Sequence, residues 1–390
     1  MRLIHLADLH IGKRVNEFPM IEDQRYVLEQ VLEVLEKRQV DGVILAGDIY
    51  DRQIPPAEAV QLLDWFLTEL ADRQVPVYMV SGNHDSGERL AFGAKLLERS
   101  QVHVAAVYDG TLDPIPLQDE YGTVYLYLLP FVKPAHVRRA LAAKDSLQEH
   151  GYPDDNGEKA ELSTYHDAVR LVLERADISP DNRNLLVAHQ LVTGAKRCES
   201  EEISVGGIDN VDAALFDAFD YVALGHIHGP QSMTRETIRY AGTLLKYSFS
   251  ECRHNKSITL VELKEKGNVT IEEIPVKPIH DMRQIKGTYD TLMSYDFYKE
   301  HDKEDYLQVI LTDEEEIPEA MGRLRTVYPN IMKLEYDNRR TGTFGQVEDT
   351  AGEAENPIDY FEEFYEMQNN QAMTEEQRKI VRGLVERIWG

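Results

Sequence analysis

Five short strings carry residue types that bind metal ions: Asp8-Leu9-His10, Gly47-Asp48, Gly82-Asn83-His84-Asp85, His189, and Gly225-His226-Ile227-His228. Carboxylate and amide oxygens mixed with imidazole nitrogens suit manganese, iron or zinc. Asp-x-His and His-x-His place alternate side chains on one face of an extended segment, because strand alternation has period two. The adjoining glycines permit sharp turns. Each string alone has an ordinary explanation. Gly-Asp closes many turns, Asn-His-Asp fits turn and cap chemistry, and a lone histidine is most often a satisfied core or surface residue. His5 illustrates that case: it faces away from Leu6 and has no partner motif. Turns do not explain the ordered set, because every string stands at the end of an apolar run.

Those runs define the elements that must position the strings. Arg2–Ala7, Gly42–Ala46 and Val75–Val80 read as buried strands, separated by helices over Asp23–Arg38 and Ala57–Arg73. Pro55-Pro56 opens the second helix. Further strands are expected at Val124–Leu129, Leu185–Ala188 and Tyr221–Leu224, with helices at Pro134–Ala143 and Thr164–Ala176. Ser257–Leu263 and Val269–Pro275 flank a loop containing Gly267 and read as a hairpin. Strand–helix alternation with polar residues at strand ends predicts an α/β sheet with its site at the carboxyl edge.

The rest of the chain divides by composition. A polar stretch at 144–161 reads as an exposed insertion. The main region 1–278 is followed by a small α+β unit over 279–340, with strands at Tyr306–Leu311 and Met332–Tyr336 and a helix at Ile317–Tyr328. An acidic, Gly- and Thr-rich linker occupies 341–356. Two short helices, Pro357–Gln368 and Thr374–Trp389, close the chain, the second opening with a capping box at Thr374 and Gln377. Of 390 residues, 42 are basic and 69 acidic, a net charge of −27, which argues against binding nucleic acid by bulk charge. No apolar run is long enough for a membrane span, and Asp8 and His10 interrupt the start, so no secretory leader is expected. Two cysteines, Cys198 and Cys252, make no disulfide framework and point to the reducing cytoplasm.

In order and spacing, the five strings resemble the signature of the calcineurin-like metallophosphoesterases. The longer strings IHLADLHIGKR, LAGDIYDR, VSGNHDSGERL, LGHIHGPQ and YAGTLLKYSFSE are similar to those of nuclease subunits of bacterial DNA-repair complexes, over nearly the whole chain. The resemblance implies a four-layer sandwich of two β-sheets flanked by helices, with a small capping domain and a C-terminal helical tail. It implies two divalent metal ions, with manganese foremost. Asp8, His10 and His228 would hold one ion, Asn83, His189 and His226 the other, and Asp48 would bridge. His84 would not be a ligand but the acid or transition-state stabiliser beside the scissile phosphate. Some relatives place a further histidine after Gly-Asp. Here Ile49-Tyr50-Asp51-Arg52 stands instead, so a histidine role there is absent and Arg52 would contact phosphate.

Two cations about 3.5–4 Å apart neutralise a phosphodiester and lower the pKa of a bound water. The implied activity is exonuclease action on double-stranded DNA ends and endonuclease action on hairpins, in repair, recombination and replication. Lys13, Arg14, Arg52, Arg89 and Arg253 are the candidate DNA contacts, with Lys196, Arg197 and Lys256 in later loops. Partners implied by the resemblance are a coiled-coil ATPase, two copies with two of this chain, and a second copy of the chain itself. The dimer would form through the apolar faces of Asp23–Arg38 and Ala57–Arg73, unless those faces cover the sheet. The tail, with Ile358, Phe361, Phe364, Tyr365, Ile380, Val381, Leu384, Val385 and Ile388, would dock the ATPase. A small-molecule phosphodiesterase or nucleotidase would use the same metals. A non-catalytic scaffold is the third reading, opposed by the complete ligand set.

Overall fold

The computed structural model describes residues 1–143, 152–153, 159–160, 162–201, 209–299, 302–338, 358, 361–362, 364–366 and 372–389. The expected insertion lies outside these, apart from a two-residue ladder pairing Tyr152–Pro153 with Lys159–Ala160. The linker 341–356 lies outside them entirely. Two compact units divide the chain, Met1–Asp281 and Met282–Gly390.

Two six-stranded sheets build the first unit. One runs in the order Val269–Pro275, Ser257–Leu263, Arg2–Leu6, Gly42–Ala46, Val77–Val80, Val102–Ala105. Its last four strands are parallel, and the hairpin adds two antiparallel strands. The other runs Gln231–Ser232, Ile238–Tyr240, Tyr221–Gly225, Arg183–His189, Gly122–Leu129, Ile115–Asp119, with four parallel strands between antiparallel edges. Leu3, Ile44, Tyr78 and Val80 of the first sheet pack against Leu126, Leu185, Val187 and Tyr221 of the second. The outer face of the second sheet, with Leu186, Val222 and Leu224, packs against Val137, Leu141, Val169 and Val172 of the helices Pro134–Ala143 and Tyr165–Arg175. Both faces of these strands are apolar because both are covered.

The helices Ile21–Arg38 and Ala57–Asp72 flank the first sheet and bury Leu28, Val31, Leu32, Leu62, Leu63 and Phe66. Those buried side chains are used within the chain, while Tyr26 and Val60 of the same helices stay exposed. His5 is wholly buried, its Nδ1 2.9 Å from the Tyr221 hydroxyl, and burial lowers its pKa to about 3. It is a core histidine, as its lack of a partner motif suggested.

In the second unit, Met282–Gly287, Tyr306–Leu311 and Ile331–Tyr336 form a parallel three-stranded sheet around Leu292, Leu307, Val309, Leu311 and Leu324. The helix expected over Ile317–Tyr328 contracts to Ala320–Leu324. Glu319 takes a left-handed φ of 53° and blocks extension toward the amino end. Pro329 disfavours helical backbone at Tyr328. The last helix spans Glu375–Trp389 behind the expected capping box: Gln377 N donates to Thr374 Oγ1, and Thr374 N to Gln377 Oε1. Of the helix expected over Pro357–Gln368, residues 358, 361–362 and 364–366 are described and helical.

Candidate metal centre

All five strings sit at carboxyl ends of parallel strands. Asp8, Asp48 and Asn83 follow Arg2–Leu6, Gly42–Ala46 and Val77–Val80, His189 ends Arg183–His189, and His226 follows Tyr221–Gly225. The side chains do not reach the centre by strand alternation, however. Asp8, His10, Asp48 and His226 have φ of 52°, 44°, 48° and 106°. Left-handed backbone at non-glycine residues costs about 1–3 kcal/mol each and persists only where surroundings enforce it. His-x-His accordingly splits: His226 Nδ1 lies 2.9 Å from Asn83 Oδ1, whereas His228 Nε2 lies 3.1 Å from His10 Nε2.

Backbone bonds enforce the strain. Asp8 N donates to Gly47 O, His10 N to Asp48 O and Ile11 N to Ile49 O, at 2.9–3.0 Å. Gln24 Nε2 donates to His10 O at 2.8 Å and to the Tyr247 hydroxyl, which itself donates to Leu9 O at 2.7 Å. The Asp85 carboxylate accepts from Ile49 N, Tyr50 N and Gly82 N, tying the second and third loops together. Glycine makes the convergence sterically feasible. A Cβ on Gly82 would lie 2.0 Å from Asp48 Oδ1, and one on Gly47 2.3 Å from His189 Nδ1.

The donor atoms gather in overlapping sets. Asp8, His10 and His228 each offer an atom within 4.8 Å of the others, as do Asp8, Asp48 and His189, and His10, Asp48 and His84. Asn83 Oδ1 lies 3.0 Å from His189 Nε2 as well as 2.9 Å from His226 Nδ1. Asp48 Oδ2 lies 3.4 Å from His189 Nε2 and 3.7 Å from His10 Nε2. His84 is set apart. Its ring Nδ1 is 3.1 Å from Asp51 O, its Nε2 is 4.0 Å from Asp48 Oδ2, and its side chain is 21% exposed against 0–4% for Asp8, His10, Asp48, His189 and His228.

The electrostatics are those of lone pairs forced together. Burial, reinforced by the Asp48 charge, raises the Asp8 carboxyl well above its usual range. Burial also pushes Asp48 upward, but His189, His10 and His84 outweigh it and hold that carboxyl well below the usual range. His189 is driven down by burial and up by Asp48 and Asp8, ending near 9. Burial holds His10 well below an ordinary imidazole and lowers His226 to about 3. Two imidazole Nε2 atoms facing each other, with a second pair of nitrogens directed at one amide oxygen, fit a site for divalent cations.

The sequence strings contain some of the supporting residues but do not disclose what they hold. Asp51 lies 2.7 Å from Lys13 Nζ, 3.7 Å from His10 Nδ1 and orients His84 through its carbonyl. Gln24, Tyr247 and Glu201, whose Oε1 accepts from His228 N at 2.7 Å, are equally remote in sequence. Only Asp85 and Asp51 had a local signal, a carboxylate beside each motif. Among the candidate DNA contacts, Arg14, Arg52, Arg89, Arg253, Lys196 and Arg197 are exposed. Lys13 is engaged by Asp51, and Arg197 pairs with Asp209 at 3.1 Å. Lys256 is buried against Glu251 at 2.5 Å and is no surface contact.

The chain is similar to proteins of known families. The family model for calcineurin-like phosphoesterases matches residues 1–230. A model described as the type 5 capsule protein repressor C-terminal domain matches residues 278–369. The chain is 33% identical to the D subunit of the SbcCD nuclease of Staphylococcus epidermidis over 86% of its length and 85% of the relative's. It is 34% identical to the protein of the same name from Staphylococcus saprophyticus, over 86% and 84%. Among solved structures, a dimetal phosphatase from Danio rerio aligns with 71% of this chain and 98% of its own, at 16% identity and a TM-score of 0.40. A phosphoesterase signature at the ends of five strands, carried on a chain alike over its length to these nuclease subunits, makes this protein a member of the calcineurin-like phosphoesterases, in the SbcD family of nuclease subunits.

Proposed function

We propose that the protein is a metal-dependent nuclease that hydrolyses DNA phosphodiester bonds, acting with the SbcC ATPase in repair and recombination. Its actions are exonucleolytic on double-stranded ends and endonucleolytic on hairpins. The observation that carries this reading is Asp48 Oδ2, 3.4 Å from a nitrogen of one donor set and 3.7 Å from a nitrogen of the other. Asp8, His10 and His228 would hold one divalent ion, Asn83, His189 and His226 the other, and Asp48 would be shared by both. When bound, two such ions, manganese foremost, neutralise the phosphodiester and lower the pKa of a water. The strand-end loops fix the donor positions before substrate arrives. His84, held by Asp51 O at the more exposed rim, protonates the leaving oxygen or stabilises charge developing at phosphorus.

The two rival substrates are separated by purified protein with manganese, given bis-p-nitrophenyl phosphate, a nucleotide, and labelled double-stranded and hairpin DNA. Cleavage of both DNAs is expected. Turnover of the small esters alone would leave a small-molecule phosphodiesterase. The proposed organisation is a nuclease domain over 1–278, a capping domain over 279–340, a linker over 341–356 and docking helices over 357–390. Among the described residues no helix is long and apolar enough to cross a membrane. The reading places the protein in the cytoplasm, as a homodimer within a complex of two SbcC and two nuclease subunits.

The tail supports an outside partner. Phe361, Phe364, Ile380 and Leu384 are 45–64% exposed, although Arg378 pairs with Glu362 and Gln377 Nε2 donates to the Tyr365 hydroxyl. Short helices with apolar faces in water are marginal alone, and a partner helix of SbcC would cover them. Deleting residues from 357 onward should spare hydrolysis of a small phosphodiester and abolish co-purification with SbcC. Unchanged co-purification would refute tail docking.

A further inference from the structure

His189 and His228 both aim Nε2 at the metal centre, and each has its other nitrogen held. For His189 the holder is a backbone carbonyl, Ala46 O, 2.9 Å from Nδ1. For His228 it is a chain of side chains. His228 Nδ1 lies 2.8 Å from Ser200 Oγ, which lies 2.6 Å from Glu251 Oε1. Glu251 is fully buried, and its Oε2 accepts from Lys256 Nζ at 2.5 Å. Lys256 also donates to His228 O at 2.9 Å and to Thr243 Oγ1 at 2.6 Å. Tyr247 N donates to Glu251 Oε1 at 3.2 Å.

The donor count leaves one arrangement. A carboxylate paired with a buried ammonium has only lone pairs to offer. The single hydroxyl hydrogen of Ser200 therefore goes to Glu251, and its oxygen accepts from His228 Nδ1. The imidazole proton is thereby placed on Nδ1, which leaves the lone pair on Nε2. We infer that Ser200 and Glu251 form a relay that fixes the tautomer and ring orientation of His228, making Ser200 a positioning residue for the metal set of Asp8, His10 and His228. Residues 200 and 228 come from separate loops and Glu251 from the short 3-10 helix Phe249–Glu251, so the relay also ties the loop carrying Ser200 to the centre. The inference rests on the proposed metal-binding role of His228.

The test is manganese titration of full-length protein, followed by electron paramagnetic resonance, with metal content after dialysis. Ser200→Ala should weaken one of the two sites by about 10–100-fold and leave the other near wild type, the usual scale for a lost partner of a metal-bound histidine. Ser200→Thr keeps the hydroxyl and should restore most of that affinity. Thermal melting of the metal-free variants checks that each is folded. Wild-type affinity at both sites in folded Ser200→Ala would overturn the relay while leaving the nuclease reading intact. Equal loss in Ser200→Ala and Ser200→Thr would overturn it too, by showing that the loop's shape rather than the hydroxyl matters. A wild-type protein that binds no manganese would overturn the functional reading and the relay together.

Discussion

The strands Arg183–His189 and Tyr221–Gly225 have two ends built on opposite principles. At the amino ends every charge meets its complement. Arg183 donates to both oxygens of Asp119, at 2.7 and 2.8 Å, and to Gly122 O at 3.1 Å. Asp220 accepts from Asn184 N, Lys266 Nζ and Gly267 N at 2.7–2.9 Å. At the carboxyl ends imidazole also faces imidazole, and Asp8 and Asp48 share one buried space with the histidines that lie against them. Left-handed backbone at four donor residues is tolerated there because Asp85, Gln24, Tyr247 and the neighbouring loops hold it. One end of the sandwich stabilises the fold; the other gathers donor atoms that fit divalent cations.

Three changes at the carboxyl end should break function, in descending order. Asp48→Asn removes the carboxylate shared by both donor sets, so hydrolysis should fall to background and the content of both metals should drop. Full metal content in that variant would contradict bridging. Gly225→Ala places a Cβ 1.9 Å from Ala46 O and 2.8 Å from His189 Nδ1. Because the first of these is backbone, the strand ends must separate, and both activity and the yield of folded protein should fall sharply. Wild-type turnover would show that the cradle is not as tight as described. His84→Gln should slow cleavage by about 10²–10⁴-fold, the scale of a general acid. Metal content should stay normal, and metal loss would make His84 a ligand.

Much of this division was legible in the sequence, at one end more than at the other. The buried runs GVILA and YVALG and the glycines beside them disclose where strands stop, and metal-binding residue types mark the active edge. The edge strands Val102–Ala105, Ile115–Asp119 and Gln231–Ser232, and the neighbouring Ile238–Tyr240, left no such trace. They run two to five residues, too short for an apolar run or an alternation to stand out. The residues that hold the donors are hidden for another reason. Ser200, His228 and Glu251 touch across 28 and 51 positions, and Arg183 and Asp119 across 64. Nothing local distinguishes such a glutamate or arginine from a solvated one, and only the fold brings the partners together. Period-two alternation misjudged His-x-His, whose rings join different donor sets; Asp8 and His10 do share a set, but reach it through positive-φ backbone past the strand rather than by alternation.

Breaking the amino end should cost stability and spare chemistry. Arg183, bonded to both oxygens, holds the Asp119 carboxyl well below its usual range, although burial opposes this. Asp119→Asn leaves the nearly buried guanidinium without its anion, at a cost of about 1–3 kcal/mol. Hydrolysis of a small phosphodiester below the melting transition should not change. The sign of the pH dependence follows from a folded pKa below the unfolded value of about 3.9. The contribution is complete above that value and is lost as pH falls through the folded pKa. Denaturant melts of wild type and Asp119→Asn should therefore differ fully at neutral pH and converge on acidification below about pH 4. A gap that persists undiminished in acid would assign the loss to shape rather than to charge.

The smallest effect is expected at Gly267, the counterpart of Gly225 at the amino end. Its φ is 78°, and a Cβ there meets nothing within 4 Å. Alanine would thus suffer only the left-handed backbone, about 1–2 kcal/mol, while Gly267 N can still donate to Asp220 Oδ1. Gly267→Ala should melt a few degrees lower and retain both metals and full turnover. The two glycines share a type and a unit, yet one is required by the atoms around it and the other only by its own dihedral. Loss of metal binding in Gly267→Ala would mean that strain at the amino end travels along the strands to the centre, and the two ends would then be one coupled structure.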